Sequence, residues 1–405
     1  MSIRNRCKSA MSPHPPRALW IAFAAMLALS QTGCTTTEIV RANSTPAIQS
    51  QEALDPELLL DIGVMEFAPG IPSDDDEIKK ALIVPEVRRA ESRFIAYHLR
   101  NTLEQTGNWG AVRVTPGPSK AVDLTVWGEI LMSDGEKLRV RVTARDATGT
   151  LWLNEEYEDS ASKFSYRQTQ EDPFQDIYNA VANDLLAARN TMDSATIHDI
   201  RMVAALEFAS SLSPDSFEAY LQRTDDRVSV LQQPADGDPM VQRIERIKER
   251  EYLFVDTLDD YYDQFYREMS APYRDWRQYT YDEAVRLRQM EAQSRKRLLT
   301  GIALVAGGLA AGARSETYAG QVAAAGTAVG GIGAIRSGLE RRRDAEVHAA
   351  SLRELSESMG QEITPIVLDV EGRTVELQGS VDNQYGEWRR ILKDIYQRDN
   401  AQIAE

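Results

Sequence analysis

Alternating hydrophobic and polar residues mark the most regular part of the chain, residues 58–157. The alternation is clearest in residues 123–131 and 137–146, where apolar side chains occupy nearly every second position. A period of two is typical of a strand with one buried face and one solvent-facing side. Apolar residues at helical spacing predict one long helix over residues 86–105, which Gly107 ends.

The signals occur in the order β-α-β-β-β-β, with hairpin turns at residues 134–135 and 148–149. This order predicts an α+β fold in which one helix covers an antiparallel sheet. A helix over residues 172–190 would close this domain, which we place at residues 58–192. Residues 34–57 are polar, lack periodicity and are predicted to form a flexible tether.

A long helical region is predicted for residues 193–297, with helix starts at Ser213-Pro214 and Asp238-Pro239. From Met240 onward, apolar residues repeat every three or four positions, and only Glu251 interrupts them. This coiled-coil-like seam could pair with a helix of the same chain or with a second protomer, and we favour the first. The seam positions are Met240, Ile244, Ile247, Phe254, Leu258, Tyr261 and Phe265.

Tyrosines and a tryptophan cluster between residues 252 and 281, interleaved with aspartate and arginine. Such rings can stack on sugars or lie at a membrane interface. More often they form the solvated edge of a helical core, and this is the interpretation that we favour.

Residues 298–338, the Gly/Ala segment, predict a helical hairpin of small residues with few charges. Small residues recur four positions apart, which lets two helix backbones approach closely. The glycines singled out are Gly307, Gly308, Gly312, Gly326, Gly330 and Gly338. Two interpretations stay open: membrane insertion and packing within an oligomer. Because each glycine costs roughly 1 kcal/mol in a soluble helix, we favour both over a lone soluble hairpin.

The remaining segment, residues 339–405, is predicted to form a helix over residues 345–359, a β-hairpin over residues 366–378 and a second helix over residues 385–396. Its stretch Val375-Glu376-Leu377-Gln378-Gly379-Ser380-Val381 resembles the BON domain of envelope proteins. The resemblance implies contact with phospholipid. The fold class is therefore α+β with a long helical region, a Gly/Ala-rich hairpin and a small αββα end.

The amino-terminal residues 1–33 have the pattern of a secretory signal. Arginine and lysine precede an apolar run, residues 18–29, which is shorter than the ~20 residues that span a bilayer. Cys34 follows Thr32-Gly33, so the segment resembles a bacterial lipoprotein signal. The resemblance implies cleavage before Cys34, its lipidation and an outer-membrane location facing the periplasm. An ordinary signal with a chance cysteine stays as the alternative.

The α+β domain carries a second resemblance, in residues 63–67, 92–103 and 143–152. These resemble periplasmic domains of the TolB amino-terminal and curli-secretion lipoprotein type, and auxiliary lipoproteins of envelope lipid transporters. The resemblance implies that the domain docks protein partners rather than performing chemistry.

Composition and motifs argue against nucleic-acid binding and catalysis. A net charge of −16 repels phosphates. The four histidines lack metal-ligand spacing, and no nucleophile elbow or phosphate loop is present. We therefore predict no catalytic residue, metal or cofactor. His98 is predicted to be a satisfied core histidine, and the acidic run at residues 74–77 a solvated loop rather than a calcium site.

These features predict a lipid-anchored, non-enzymatic protein that scaffolds or assists a periplasmic or outer-membrane complex. Its expected partners are the membrane, through Cys34, and an envelope protein, with self-association as an open alternative. The competing hypothesis is a lipid-transport or secretion accessory whose Gly/Ala segment binds membrane directly. A third hypothesis, an uncharacterised hydrolase, would require a pocket with convergent carboxylates.

Overall fold

A computed structural model of the chain provides the coordinates. It describes residues 45–52, 54–81, 83–167, 171–235, 238–310, 350, 354, 366–370 and 373–401. The α+β class is confirmed. Two predicted features lie outside the described residues. One is the helix over residues 345–359, of which only residues 350 and 354 are described, and the other is the loop between the two arms of the Gly/Ala segment.

Five strands form the main sheet. They are β1 (Ile62–Met65), β2 (Val112–Thr115), β3 (Leu124–Ser133), β4 (Lys137–Asp146) and β5 (Leu151–Ser160). Their spatial order is β2-β1-β3-β4-β5. Strands β3, β4 and β5 are antiparallel, as the hairpin turns predict, whereas β1 is parallel to both β2 and β3. The sheet is therefore mixed rather than antiparallel, because the chain returns from β1 to β2 through a helix.

The predicted alternation correctly assigns the two faces of the sheet. Val140 and Val142 are buried, whereas Arg141 between them is exposed and pairs with Glu129 and Glu156. Gly128 lies on the buried face, where a Cβ atom would come within 2.3 Å of the Phe67 ring. Its missing side chain therefore makes room for that ring.

Five helices and a small hairpin accompany this sheet before the longest helix begins. The helices are α1 (Asp75–Lys80), α2 (Pro85–Thr106), α3 (Gln175–Asn190), α4 (Ser194–Leu212) and α5 (Pro214–Phe217). Helix α2 ends at Gly107, which adopts the left-handed conformation with φ 67°. It packs against the buried face of the sheet.

The helical region predicted for residues 193–297 contains a β-hairpin that the sequence pattern does not reveal. Strands β6 (Leu221–Thr224) and β7 (Arg227–Val230) have four residues each. The Val228 N–H donates to the Thr148 carbonyl, 2.9 Å away, in the β4–β5 turn. This tertiary contact supports strands that are too short to show a clear period.

Helix α6 (Pro239–Ala310) is continuous for 72 residues. The stretch Thr280-Tyr281-Asp282-Glu283 has the pattern of a capping box, which predicts a helix start. The Thr280 hydroxyl instead donates back to the carbonyls of Trp276 and Arg277, at 3.0 and 3.1 Å. This back-bonding keeps Thr280 inside the helix. The helix passes close to the β3–β4 turn at Gly135, where a Cβ atom would come within 2.3 Å of the Arg277 carbonyl.

Strands β8 (Ile366–Val370) and β9 (Arg373–Leu377) form the predicted hairpin, and α7 (Val381–Ala401) follows it. Helix α7 packs on α6, where the rings of Trp388 and Phe254 stack with centroids 5.0 Å apart. The seam is thus covered by helices of the same chain, as expected. One hydrophobic core runs through the sheet, α2–α4, α6 and α7, so the segments divided at residue 192 share buried surface.

Candidate functional site

Most of the site residues predicted from the sequence lie outside the residues that the structure describes. Cys34, Gly312, Gly326, Gly330 and Gly338 lie outside the described residues. Gly307 and Gly308 fall in the last turn of α6. Lipidation and the packing of the Gly/Ala segment therefore stay predictions. In the part of the chain that the structure describes, no helix has the length and apolar character needed to cross a membrane.

A cleft with a volume of about 830 Å³ opens between α2, α3, α6 and the residues just before the sheet. Its wall contains aromatic rings from Phe94 and Tyr266 and a polar group centred on His98. The sequence singles out His98 only as a core residue. The cleft is nevertheless the place where α2, α3 and α6 meet with ionisable side chains, and we take it as the candidate site.

His98 is held by both ring nitrogens. Nδ1 lies 2.6 Å from the Tyr266 hydroxyl, and Nε2 lies 2.7 Å from Oε1 of Gln175. Because an amide oxygen only accepts, Nε2 carries the proton and Tyr266 donates to Nδ1. Desolvation of the ring lowers the pKa of His98, against the opposing effect of Asp172. The prediction of a satisfied histidine is confirmed.

The hydrogen bonds continue from His98 across α3. Gln175 Nε2 donates to Oδ1 of Asn179, 3.0 Å away, and to Thr102 Oγ1 at 3.2 Å. Asn179 Nδ2 in turn donates to the carbonyl of Thr45, at 2.9 Å. Tyr266, His98, Gln175 and Asn179 therefore form one directed chain of donors and acceptors. Such chains polarise each other cooperatively and hold their members in fixed orientations.

Residues 45–50, which we name the strap, are held along α3 and the end of α2 by their backbone. Asn183 accepts from the Ile48 N–H at 2.8 Å and donates to the Pro46 carbonyl at 3.0 Å. Asn108 donates to the Ile48 carbonyl, and Asp176 accepts from the Thr45 N–H, both at 2.8 Å. This corrects the predicted tether of residues 34–57, whose described carboxyl-terminal part is bound.

Asp172 and Arg277 form a buried ion pair beside His98. The two guanidinium nitrogens lie 2.6 and 3.2 Å from the two carboxylate oxygens. Arg277 is 2% exposed and lies over the Tyr273 ring, 4.1 Å from its centroid. Burial alone would raise the pKa of Asp172, but Arg277 and His98 hold it below its usual value. The pair fixes α6 to the loop before α3.

Four tyrosines of α6 place their hydroxyls on buried or half-buried acceptors of the α+β segment. This tyrosine row comprises Tyr252, Tyr262, Tyr266 and Tyr273. Their partners are, in the same order, Asp61 at 3.0 Å, Glu66 at 2.9 Å, His98 at 2.6 Å and Glu91. The preferred interpretation of the aromatic cluster as part of a helical core is thus confirmed for the row, although Tyr262 and Tyr273 are fully buried rather than solvated.

The seam contains a buried acid, Glu251, at the position that interrupts its apolar repeat. Glu251 is 0% exposed, accepts from the Tyr385 hydroxyl at 3.1 Å and pairs with Arg389 at 3.3 Å. Burial raises the pKa of Glu251, and Arg389 opposes this shift. The interruption in the apolar repeat therefore marks the contact between α6 and α7.

The acidic run at residues 74–77 forms the start of α1. Oδ1 of Asp74 accepts from the backbone N–H groups of Asp76 and Glu77, at 2.7 and 3.2 Å. Asp74 thus caps a helix, so the run is a helix start rather than the predicted loop. Within the described ranges, no group of three histidine, cysteine, aspartate or glutamate residues is arranged to hold a metal ion.

Asp172 and Arg277 are missed by sequence reasoning because 105 positions separate them and neither belongs to a motif. The spacing of Tyr262, Tyr266 and Tyr273 carries a usable signal, since steps of four and seven place the three rings on one helix face.

Comparisons of the chain with protein families, with curated proteins and with solved structures find no match.

Proposed function

We propose that this chain is a lipid-anchored, non-enzymatic protein of the bacterial cell envelope. Lipidated Cys34 would hold it in the outer membrane, facing the periplasm, where it scaffolds or assists a protein complex. The lipoprotein-signal resemblance supports this location, and the resemblance of the α+β domain to partner-docking periplasmic domains supports the scaffolding role.

The observation that carries the scaffolding role is the continuity of α6. At about 1.5 Å per residue, 72 residues extend for roughly 108 Å. Up to Arg288, which pairs with Asp134 and Glu136, the helix makes contacts with the sheet, α2, α4 and α7. Its last turns lie in the Gly/Ala segment. One continuous helix thus joins the α+β domain to the segment proposed to meet membrane or a second copy.

The use of polar groups in the interior agrees with a structural role. Asp172 is neutralised by Arg277, and Glu66 accepts from Tyr262 and Arg93. These carboxylates hold α6 against the α+β domain. The hydrolase hypothesis gains no support from these pairs, because each acid is already committed to a partner.

Fatty-acid labelling in cells tests the anchor. The full-length chain should incorporate a labelled fatty acid and fractionate with the outer membrane, and Cys34→Ala should lose both properties. Cys7→Ala is the matched control, because that residue is expected to leave with the leader. Labelling that survives Cys34→Ala would refute the anchor.

Liposome flotation tests the Gly/Ala segment. Protein carrying Cys34→Ala is compared with the same protein lacking residues 298–335. If the deletion leaves flotation unchanged, direct membrane binding by this segment is refuted. If flotation depends on residues 298–335, the alternative of a lipid-transport or secretion accessory is favoured. Crosslinking in intact cells then identifies the envelope partner, and recovery of the chain crosslinked only to itself would contradict docking to a complex.

A further inference from the structure

The cleft has two kinds of polar wall. The inner wall is the directed chain from Tyr266 to Asn179, in which every member already has a partner. The rim carries further amide side chains from Gln49, Asn101 and Gln105. Within the described residues, the side chains of Gln49 and Gln105 have no hydrogen-bond partner, and Asn101 uses only its oxygen, for Arg100 at 3.0 Å. The rim can therefore bind a ligand without dismantling the wall.

The charges of the cleft balance. Asp172 and Arg277 neutralise each other in a buried pair, which leaves Glu171 and Arg274 as one acid and one base. His98 is held neutral between Tyr266 and Gln175. Among the described residues no ion pair joins Glu171 to Arg274, but the lining carries no net charge, so it favours a molecule that is polar and neutral overall.

The lining chemistry fits a sugar better than other neutral molecules. Each free amide offers a donor and an acceptor in one plane, which suits adjacent hydroxyl groups that both donate and accept. Phe94 is 2% exposed, so the half-buried Tyr266 ring, stacked on it with centroids 4.7 Å apart, supplies the aromatic surface for the C–H groups of a pyranose. The volume of about 830 Å³ lies within the ~300–1,000 Å³ range of small-molecule sites.

We propose that this cleft binds a neutral saccharide through the amides of its rim and the Tyr266 ring of its wall. Asn101 and Gln105 lie one turn apart on the exposed side of α2 and would contact adjacent hydroxyl groups. Because Gln49 belongs to the strap, binding would also hold the strap in place. The proposal rests on the cleft and is independent of the lipid anchor.

Calorimetry and saturation-transfer NMR on the full-length chain test the proposal, with maltotriose, cellotriose and triacetylchitotriose as neutral probes. At least one probe should bind. Combining Asn101→Ala with Gln105→Ala should weaken it roughly tenfold or more, since each lost hydrogen bond is worth about 1 kcal/mol. Gln278→Ala, an exposed amide on α6 outside the cleft, should bind as wild type does.

Three results would overturn the proposal: no binding of any of the three saccharides, equal binding by the double variant, or displacement of the saccharide by inorganic phosphate or glycyl-lysine at lower concentration. Both altered side chains lie on the solvent-facing side of α2, so the double variant should retain the wild-type melting temperature. As a second readout, saturating saccharide should slow amide exchange at Ile48 in wild type but not in the double variant.

Discussion

Helix α6 buries two of its faces in different ways. The seam packs mostly apolar side chains against α7 and contains one acid, Glu251. The tyrosine row instead places ring hydroxyls on polar partners, which are Asp61, Glu66, His98 and Glu91. Apolar contacts tolerate rearrangement, but a buried charge must keep its partner. Loss of a polar group should therefore destabilise the protein much more at the tyrosine row than at the seam.

The largest effect is expected at the ion pair beside the row. Arg277→Ala leaves Asp172 buried without its partner, which should lower the free energy of unfolding by about 3–5 kcal/mol in urea titrations. Arg274→Ala, one turn earlier and half-buried, is the control and should cost under about 0.5 kcal/mol. A variant that combines Arg277→Met with Asp172→Leu should recover most of the loss. Equal costs for Arg277→Ala and Arg274→Ala would show that the buried ion pair does not stabilise the fold.

A smaller loss is expected from the row itself. Tyr262→Phe removes the hydroxyl that donates to Glu66 and keeps the ring, so it should cost about 1–3 kcal/mol. Tyr220→Phe, a half-buried tyrosine outside α6, serves as the matched control and should be nearly neutral. If both variants unfold at the same urea concentration as wild type, the hydroxyls of the row do not stabilise the helix.

His98, beside the tyrosine row, and Glu251, in the seam, should also respond oppositely to acid. The pKa of His98 is lowered in the fold, so between pH 6.5 and that lower value the unfolded chain binds more protons and stability falls as pH falls. The pKa of Glu251 is raised above 4.5 in the fold. Between that raised pKa and pH 4.5 the folded chain binds more protons than the unfolded chain, so stability rises as pH falls.

Urea titrations of wild type, His98→Gln and Glu251→Gln from pH 7.5 to 4.5 measure these effects. The difference between wild type and each variant should change by up to about 1.4 kcal/mol per pH unit, with opposite signs for the two variants. Differences of the same sign would contradict the assigned shifts.

The smallest change is expected where polarity is removed from the seam. Glu251→Leu restores the apolar repeat, and Arg389 can turn to solvent while keeping its contact with Ser211 at 3.2 Å. We expect a change within about 1 kcal/mol of wild type. Phe254→Ala at the neighbouring seam position should cost about 3–5 kcal/mol. A loss of 3 kcal/mol or more for Glu251→Leu would make the two faces equivalent.

Local patterns predict much of this fold because they report burial directly. The period of two in β3 and β4, the end of α2 at Gly107 and the seam positions all follow from one-dimensional spacing. The parallel pairing of β1 depends on the helical return to β2, which spacing does not encode. The strap escapes prediction because its backbone makes the contacts, while the Ile48 side chain is exposed. Asp172 and Arg277 meet only through the tertiary fold.

The bound strap also shortens the free segment between Cys34 and the folded part of the chain. Eleven peptide units separate Cys34 from Thr45, and at 3.3–3.6 Å per residue a fully stretched chain of that length reaches about 40 Å. If a lipid on Cys34 fixes one end, the hydrogen bonds of Asn179 and Asp176 fix the other. Residue 45, and the start of α3 that binds it, would then stay within about 40 Å of the membrane surface. A partner that extends farther than this from the membrane would contact the protein along its side.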